Sequence, residues 1–504
     1  MISKEELSRI REELRPFFNP KSVAVIGASH KSGSPGHIIF KNLIENVRKG
    51  LLRAKVYGVN IKGGELFGHK LFRSILDIPD TVEHAIIAIP AKFVPSVIKE
   101  CGEKKVKVAT IISGGFSEVG NVELEQEVLS IARSYGIRII GPNGLGIYDA
   151  YSGVDTLFIP TYKETDEGPK LNMPRPKQGY ITFLSQSGAL GDAVLDYMWG
   201  EDIGISKFIS WGNKIDVDEG DLLLYLLDDD TTRVVIMYIE AFRENAKRIV
   251  EIGKEFTKKK PIVVLKGGIT EAGARATYSH TASLAGNIKI YETALKSMGA
   301  VLAWNIQELV DMAKALAFQP PARGNRIGIV TNGGGPGIVM ADLAERVGLR
   351  VPVLSQDTLK ELKNYVSEGV IPEIATFSNP IDISGTGTDE SYAVATECLL
   401  RDPNVDLVIV LALHHPPALT KDLPKKLIRV IKDYNKPTIV MDMGSTEMSE
   451  WVRKQFELEG IPTYPLPWRA VIAAKALVDY GHWLLKNKVL EDFMSSWTWM
   501  RSSK

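Results

Sequence analysis

Short apolar runs alternate with stretches of helical period along most of this chain. In the first third, SVAVIGAS (22–29) leads into a helix-period segment around IIFKNLIENV, and KVYGVN, HAIIAIP (84–90), VATIISGGF and IRIIGPNGLG follow. Runs of Val, Ile, Ala and Leu bounded by Gly, Pro and Asn read as strands buried on both faces, and the 3.6-residue stretches as the helices that cover them. The pattern predicts an α/β fold. Its first five strand-like runs, with loops at their carboxyl ends, predict a Rossmann-like domain ending near residue 150. The polar, proline-bearing stretch TYKETDEGPKLNMPRPKQG (161–179) reads as a linker or surface loop.

The remainder repeats itself. GYITFLSQSGALGDAVLDY (179–197) parallels NRIGIVTNGGGPGIVMADL (325–343), DDTTRVVIMYIEAF parallels DPNVDLVIVLALHH, and KKPIVVLKGG parallels NKPTIVMDMG. Register held over three consecutive elements predicts two flavodoxin-like domains of the same internal order, with a boundary near QPPARGN (319–325). The last residues, after about 480, read as helical and Trp-bearing.

Composition narrows the classes. With 504 residues the chain can bury three or so cores; Lys plus Arg and Asp plus Glu both number 61, so the formal charge is zero. No basic field is available for nucleic acid or an anionic membrane, and any anion must be held locally. Cys101 and Cys398 lie far apart without metal spacing and read as buried free thiols in a reducing compartment; no metal site is expected. The start, MISKEELSRIREELRPFF, reads as an amphipathic charged helix rather than a signal peptide, and no apolar run reaches a membrane span. A cytoplasmic protein is the expectation.

Four places can carry chemistry. The turn from Gly27 through Ala28 and Ser29 to Ser34 and Gly36 follows a strand and opens a helix, where free N–H groups suit a phosphate. It departs from the dinucleotide fingerprint: Ser29 stands at the second glycine, and Asn60 and Lys62 stand where NAD needs an acid for its ribose. Lys62 suits a phosphorylated ribose or a pyrophosphate, so coenzyme A fits better than NAD. The strand ends IPAKF, ISGGFSE and GPNGLG share one sheet edge, which makes Pro90, Ser113, Gly114 and Asn143 candidate contacts along a pantetheine arm, or simple turn residues.

Two further helix starts, Ser187-Gly188-Ala189 and Gly333-Gly334-Gly335, present unpaired N–H groups; their equivalent places suggest a shared phosphate between them. His280 lies in KGGITEAGARATYSHTASLAG (266–286), among small residues after the apolar run PIVVLK. It reads either as a solvated loop histidine, or one bonded at Ser279 or Thr281, or as a mobile nucleophile. Glu240 ends VVIMYIE close by in the predicted sheet; it can hold Nδ1–H and leave Nε2 to attack phosphorus, or pair with Arg243. His414 and His415, in LHHPP, read as a loop end after a strand.

VAVIGAS, the IPA turn, SGGFSE, GPNGLG, SQSGALG, the YIE strand end, SHTASLAG and TNGGGPGI occur in an order that resembles the α subunit of ADP-forming (NDP-forming) acyl-CoA synthetases, relatives of succinyl-CoA synthetase. The resemblance covers about residues 15–480, and SHTxSLAG is its most specific segment. It implies a CoA-binding domain (1–150), a ligase domain carrying a phosphohistidine loop (151–320), a second ligase domain (321–485) and a tail (486–504). By it, His280 resembles the phosphohistidine, with Ala282 within the family's Gly-or-Ala pattern, and Glu240 the carboxylate that orients it. Ser187, Gly188, Ala189, Gly334 and Gly335 resemble the phosphate-binding helix starts. Gly27, Ala28, Ser29, Ser34, Lys62, Pro90, Ser113, Gly114 and Asn143 fall in its CoA site.

One departure is Asp192, where the succinate enzyme has a tyrosine near its dicarboxylate, so succinate specificity is not implied and acetate or another small carboxylic acid is. Nothing in the sequence resembles the ATP-grasp domains that bind nucleotide. The resemblance therefore implies a separate β subunit holding ADP or ATP with Mg2+, in an assembly of two α and two β chains. The implied reaction converts acyl-CoA, ADP and phosphate reversibly to acid, ATP and CoA. A non-catalytic CoA-binding or CoA-sensing protein is the alternative, and an NAD(P) dehydrogenase lacks its ribose-binding acid.

Overall fold

Apolar β-branched runs pair mainly as parallel ladders, in a computed structural model that describes residues 2–242, 245–281 and 288–502, with side chains for 2–242, 245–276 and 289–497. The chain divides into two compact units, Met1–Leu302 and Ala303–Lys504. The first opens on the helix Lys4–Phe18, started by Ser3, whose hydroxyl accepts from the Glu6 N–H, with Glu5 and Glu6 at the positive end of the helix dipole. Ile10, Leu14, Phe17 and Phe18 of this helix are buried, each worth roughly 1.5–3 kcal/mol when fully removed from water.

The first sheet runs Gly64–Leu66, His69–Phe72, Lys55–Val59, Ser22–Ile26, His84–Ile87, Val108–Ile111, Arg138–Ile140. All neighbours are parallel except the first pair. From Ser22–Ile26 the chain goes first to one side and then to the other, which opens a crevice beyond the carboxyl ends of Ser22–Ile26 and His84–Ile87. This is the Rossmann-like order expected.

A second sheet in the same unit runs Val301–Ala303, Ile262–Lys266, Val234–Ile239, Gln178–Ser185, Ile205–Ser210, Gly146–Asp149. Its last strand is antiparallel to Ile205–Ser210, so the chain leaves the first sheet after Ile140 and immediately edges the second. One apolar cluster passes from Phe17 and Ile86 to Trp211, Leu222 and Met298, joining both sheets of this unit. Tyr162–Lys163 and Lys170–Leu171 form a small exposed ladder inside the polar stretch.

The second unit holds the third sheet: Thr376–Phe377, Ile381–Asp382, Ile327–Thr331, Leu407–Ala412, Thr438–Asp442, Thr463–Tyr464. Leaving aside one antiparallel edge strand each, the second and third sheets share the flavodoxin order, with the second strand beside the first and the third on its other side. The repeat reaches single side chains. Lys260 donates to Leu226 O and Asp229 O, both at 2.7 Å, and Lys436 donates to Leu399 O and Asp402 O at 3.3 and 2.8 Å. Burial lowers each ammonium to about 8. The helices Pro467–Lys486 and Leu490–Ser502 close the chain. Both cysteines are buried; burial pushes the Cys398 thiol up to about 12 and the Cys101 thiol up as well, so neither is a nucleophile. Among the described residues no helix is long and apolar enough to cross a membrane.

Candidate functional site

At the crevice of the first sheet, Gly27 turns the chain with φ +103°, and its N–H donates to Val59 O. A Cβ on Gly36 would stand 2.1 Å from Gly27 O, so the helix Pro35–Arg48 can approach the strand only with glycine there. Ser34 is the residue before that helix, but its hydroxyl donates to Lys31 O and caps no helix N–H. First-turn amides are therefore left for a ligand. The Ser29 hydroxyl accepts from Lys31 N, and Ala28 O accepts from Asn60 Nδ2 at 2.7 Å. Asn60 is thus committed to the turn, while Lys62 on the same loop is exposed.

Pro90, Gly114 and Asn143 are exposed on the carboxyl edge of this sheet. The Ser113 hydroxyl is tied to the Ile89 carbonyl at 2.5 Å and the Ile89 N–H at 3.3 Å, stitching two strand-end loops together. Asn143, at φ +61°, donates its N–H to Ser113 O. Glu118 shapes the SGGF loop, since Oε1 accepts from the Gly115 and Phe116 amides and Oε2 from Asn213 Nδ2 at 2.7 Å. Burial would raise this carboxyl, but those hydrogen bonds outweigh it and hold it below the ordinary value.

In the second sheet, the helix Gly188–Gly200 follows Gln178–Ser185; Ser187 caps it, accepting from Leu190 N at 3.3 Å. Gly188 and Ala189 supply first-turn N–H groups that no helical carbonyl can satisfy. Gln186 Oε1 accepts from Glu240 N at 2.8 Å and Ala241 N at 3.3 Å, which fixes the end of Val234–Ile239 beside this helix start. The Glu240 side chain is buried and accepts from the Tyr238 hydroxyl at 3.2 Å. Burial, and then the Glu240 charge, push the Tyr238 phenol up.

Two lysines missed from the sequence hold this corner. Lys266 donates to Glu240 O at 2.7 Å and lies 4.7 Å from the Tyr291 ring; burial lowers its ammonium to about 8 against the opposing pull of Glu240. Lys214, fully buried, donates to Glu219 Oε1 at 2.5 Å and to Ala241 O at 2.8 Å. Lys266 ends the PIVVLK run and Gln186 sits inside SQSG, so both had a local signal. Lys214 had none, because its partners are brought by the fold.

The segment carrying His280 differs from the loop expected. Residues Glu271–Thr281 are helical, consistent with the helix propensity of the alanines in EAGARAT. This helix packs against the turn Ser117–Val119 at the carboxyl edge of the first sheet. The side chain of His280, and the residues Ala282 and Arg243, lie outside the described residues.

In the second unit, Ile327–Thr331 leads to the helix Gly334–Arg346, whose N-cap Gly333 offers no side-chain cap. Asp382 Oδ2 is 3.0 Å from the position a Gly334 Cβ would take, whereas nothing lies within 4 Å of one on Gly335. Asn332 repeats the work of Gln186: its Oδ1 accepts from Leu413 N at 3.1 Å and its Nδ2 donates to Leu413 O at 3.0 Å. His414 is not a simple loop end, because its Nδ1 donates to Asp442 Oδ2. Among the described residues no group of three His, Cys, Asp or Glu side chains could hold a metal ion.

Three family models match in sequence: a CoA binding domain over residues 21–150, a succinyl-CoA ligase-like flavodoxin domain over 178–316, and a ligase-CoA domain over 327–483. The chain is 41% identical over 486 residues to acetate–CoA ligase [ADP-forming] I subunit alpha of Pyrococcus furiosus, covering 94% of this chain and 99% of that protein. To subunit alpha of the second such ligase of that organism it is 40% identical, covering 92% and 97%. The structure of a dinucleotide-forming acetyl-coenzyme A synthetase 1 from Candidatus Korarchaeum cryptofilum, in complex with phosphate and ADP, superposes with a TM-score of 0.83 at 35% identity, covering 96% of this chain and 98% of that one.

Proposed function

The chain belongs to the α subunits of ADP-forming acetate–CoA ligases, which are acid–thiol ligases, and from that premise we propose that it converts acyl-CoA, ADP and phosphate to acid, ATP and CoA through an acyl phosphate and a phosphohistidine at His280. The observation that supports this reading is the packing of the helix Glu271–Thr281, in whose sequence His280 falls, against the turn Ser117–Val119 beyond a strand end of the first sheet. Coenzyme A lies along Gly27, Ala28, Ser29, Ser34, Lys62, Pro90, Ser113, Gly114 and Asn143. Backbone amides of the turn take its phosphates, and Lys62 adds a point charge.

Phosphate attacks the thioester carbonyl and the thiol leaves. The His280 lone pair then attacks phosphorus, the bond to the acyl oxygen breaks, and the acid departs as a carboxylate. Glu240, clamped by Gln186 and Lys266, orients the imidazole. The N–H groups at Ser187-Gly188-Ala189, and those at Gly334 and Gly335, offset phosphoryl charge without moving during the reaction. Two transfers replace one, and ADP finally takes the phosphoryl group from nitrogen.

The names of the relatives as alpha subunits imply a separate partner. We assign to it an ATP-grasp fold holding nucleotide and Mg2+, in an α2β2 assembly, and place the enzyme in the reducing cytoplasm that its two buried free thiols suit. Acetate or another small monocarboxylic acid is the substrate. Burial and then Asp196 raise the Asp192 carboxyl, and this acid in place of a tyrosine disfavours a second carboxylate on the substrate. With its partner, ADP, phosphate and acetyl-CoA, the chain is expected to acquire an acid-labile, base-stable phosphate that His280→Ala abolishes. A phosphate surviving that substitution overturns the assignment; CoA binding with no phosphorylation at all returns the chain to a CoA-sensing role.

A further inference from the structure

In the first unit, the turn over residues 211–215 faces two ways, and the reaction proposed above gives it no part. It leaves the strand Ile205–Ser210 at the carboxyl edge of the second sheet. On one side it is fitted to the end of the first sheet. A Cβ on Gly212 would stand 2.2 Å from Pro142 O and 2.3 Å from Asn143 O, so only glycine allows this approach. The Asn213 N–H donates to Pro142 O at 2.9 Å and the Ile215 N–H to Gly141 O at 3.2 Å. Asn213 Nδ2 donates to Glu118 Oε2 at 2.7 Å, Glu125 Oε2 at 2.8 Å and Ser117 Oγ at 3.2 Å, while Oδ1 accepts from Asn143 Nδ2 at 3.4 Å. One side chain thus ties the SGGF loop to the GPN turn.

The next residue reaches the other way. The Lys214 side chain is 1% exposed, and its Nζ donates to Glu219 Oε1 and to Ala241 O at 2.8 Å. With it, every main-chain polar group of Glu240 and Ala241 is held by a side chain: Gln186 Oε1 accepts from both N–H groups, and Lys266 Nζ donates to Glu240 O. Stability alone accounts poorly for this arrangement. Lys214 sits at φ +53°, where a residue with a Cβ is strained by about 1–3 kcal/mol. Glu219 Oε2 is buried with no hydrogen-bond partner among the described residues, and two apolar side chains of similar volume often stabilise a fold as well as a buried ion pair does. Apolar side chains could not hold Ala241 O.

We infer that Asn213 and Lys214 are positioning residues of the proposed reaction, Asn213 setting the loops that meet the pantetheine arm of CoA and Lys214 setting Glu240. This rests on the reading above, in which Ser113, Gly114 and Asn143 line that arm and Glu240 orients His280. Both act through other residues. They are neighbours on one tight turn, closed by the Lys214 N–H donating to Trp211 O at 3.1 Å, so a single piece of backbone keeps the two strand-end regions of the first unit in register. Loss of the donor to Ala241 O lets the Glu240 peptide turn, and a misplacement of about 1 Å is enough to slow a reaction about 100-fold. Loss of the Asn213 amide leaves two carboxylates that share one donor to repel each other, which loosens the SGGF loop.

The two roles separate by kcat and affinity. In the complex with the partner subunit, turning over acetyl-CoA with ADP and phosphate, Lys214→Met is expected to lower kcat at least about tenfold while the Kd for CoA, read by isothermal titration, stays within about threefold of the parent. That substitution also strands the buried Glu219 charge, so the double variant Lys214→Met/Glu219→Leu, which removes both charges, is measured beside it and is expected to show the same loss of kcat. Asn213→Ala is expected to raise the Kd for CoA at least about tenfold and to lower kcat less than the Lys214 variants do. A kcat within about threefold of the parent in the double variant overturns the inference for Lys214, and an unchanged Kd in Asn213→Ala overturns it for Asn213. Parallel loss of kcat and affinity in all three variants makes the turn merely structural and overturns both. A parent complex that turns over acetyl-CoA but never carries phosphate on His280 fails the preceding reading alone, and kcat and Kd still decide the two positioning roles.

Discussion

Lys260 and Lys436 show how much one repeated residue can carry. Each ammonium holds two carbonyls at the end of a helical segment, and each is lowered by burial to about 8 from 10.5. A folded pKa below the unfolded one means that the unfolded chain holds more protons between about 8 and 10.5, so this contribution to stability rises with pH across that window. Below it, the cost of burying the charge is present in full. Lys260→Met and Lys436→Met, which strand the carbonyls, are expected to cost about 1–3 kcal/mol each, and the gap between parent and variant should widen from pH 8 to 10.5 in thermal unfolding. A gap that narrows with pH contradicts the assignment. Asn332→Ala removes the partner of Leu413 N, Leu413 O and the Tyr392 hydroxyl together, and a loss of at least ~2 kcal/mol in urea unfolding is expected. The KP pairs were legible as repeated motifs; the carbonyls they serve were not, because those lie more than thirty residues away in sequence.

At the scale of elements, two helix starts make opposite predictions from the space around one atom. Gly36→Ala drives a methyl into Gly27 O, so the strand-to-helix turn must open; CoA affinity, read by isothermal titration, is expected to fall at least tenfold, about 1.4 kcal/mol. Gly335→Ala meets nothing, and the helix should keep its stability or gain up to about 1 kcal/mol while the KM for phosphate rises. A fall in melting temperature with unchanged phosphate KM would remove Gly335 from the anion site. The strand ends and helix starts were legible because glycine and short polar residues punctuate apolar runs. The helix over Glu271–Thr281 was not, since small residues serve loops and helices alike and the turn Ser117–Val119 that it packs on is remote in sequence.

At the scale of the whole molecule, the chain is two units: the first holds one apolar cluster joining its two sheets and another against the first sheet, and the second holds one under the third sheet. Calorimetry is expected to depart from a single two-state transition. Coenzyme A should raise the transition of the first unit alone, by about 2.7 kcal/mol at a hundred times its Kd. A single transition that CoA shifts intact would show the two units melting as one.

Periodicity and punctuation by themselves determined the α/β class, the Rossmann-like opening, the flavodoxin repeat and the strand-to-helix turns at Gly27, Gly188 and Gly334, because those are properties of residues near one another in the chain. Only the tertiary structure decided which polar groups are already taken. It commits Ser113 to Ile89, Glu118 to the SGGF amides and Gln186 to Glu240, and it leaves His414 with a buried lone pair beside Asp442. Each of those partners arrives by a turn, a crossover or an adjacent strand, and a hydrogen bond depends on where the chain returns, which local sequence does not encode.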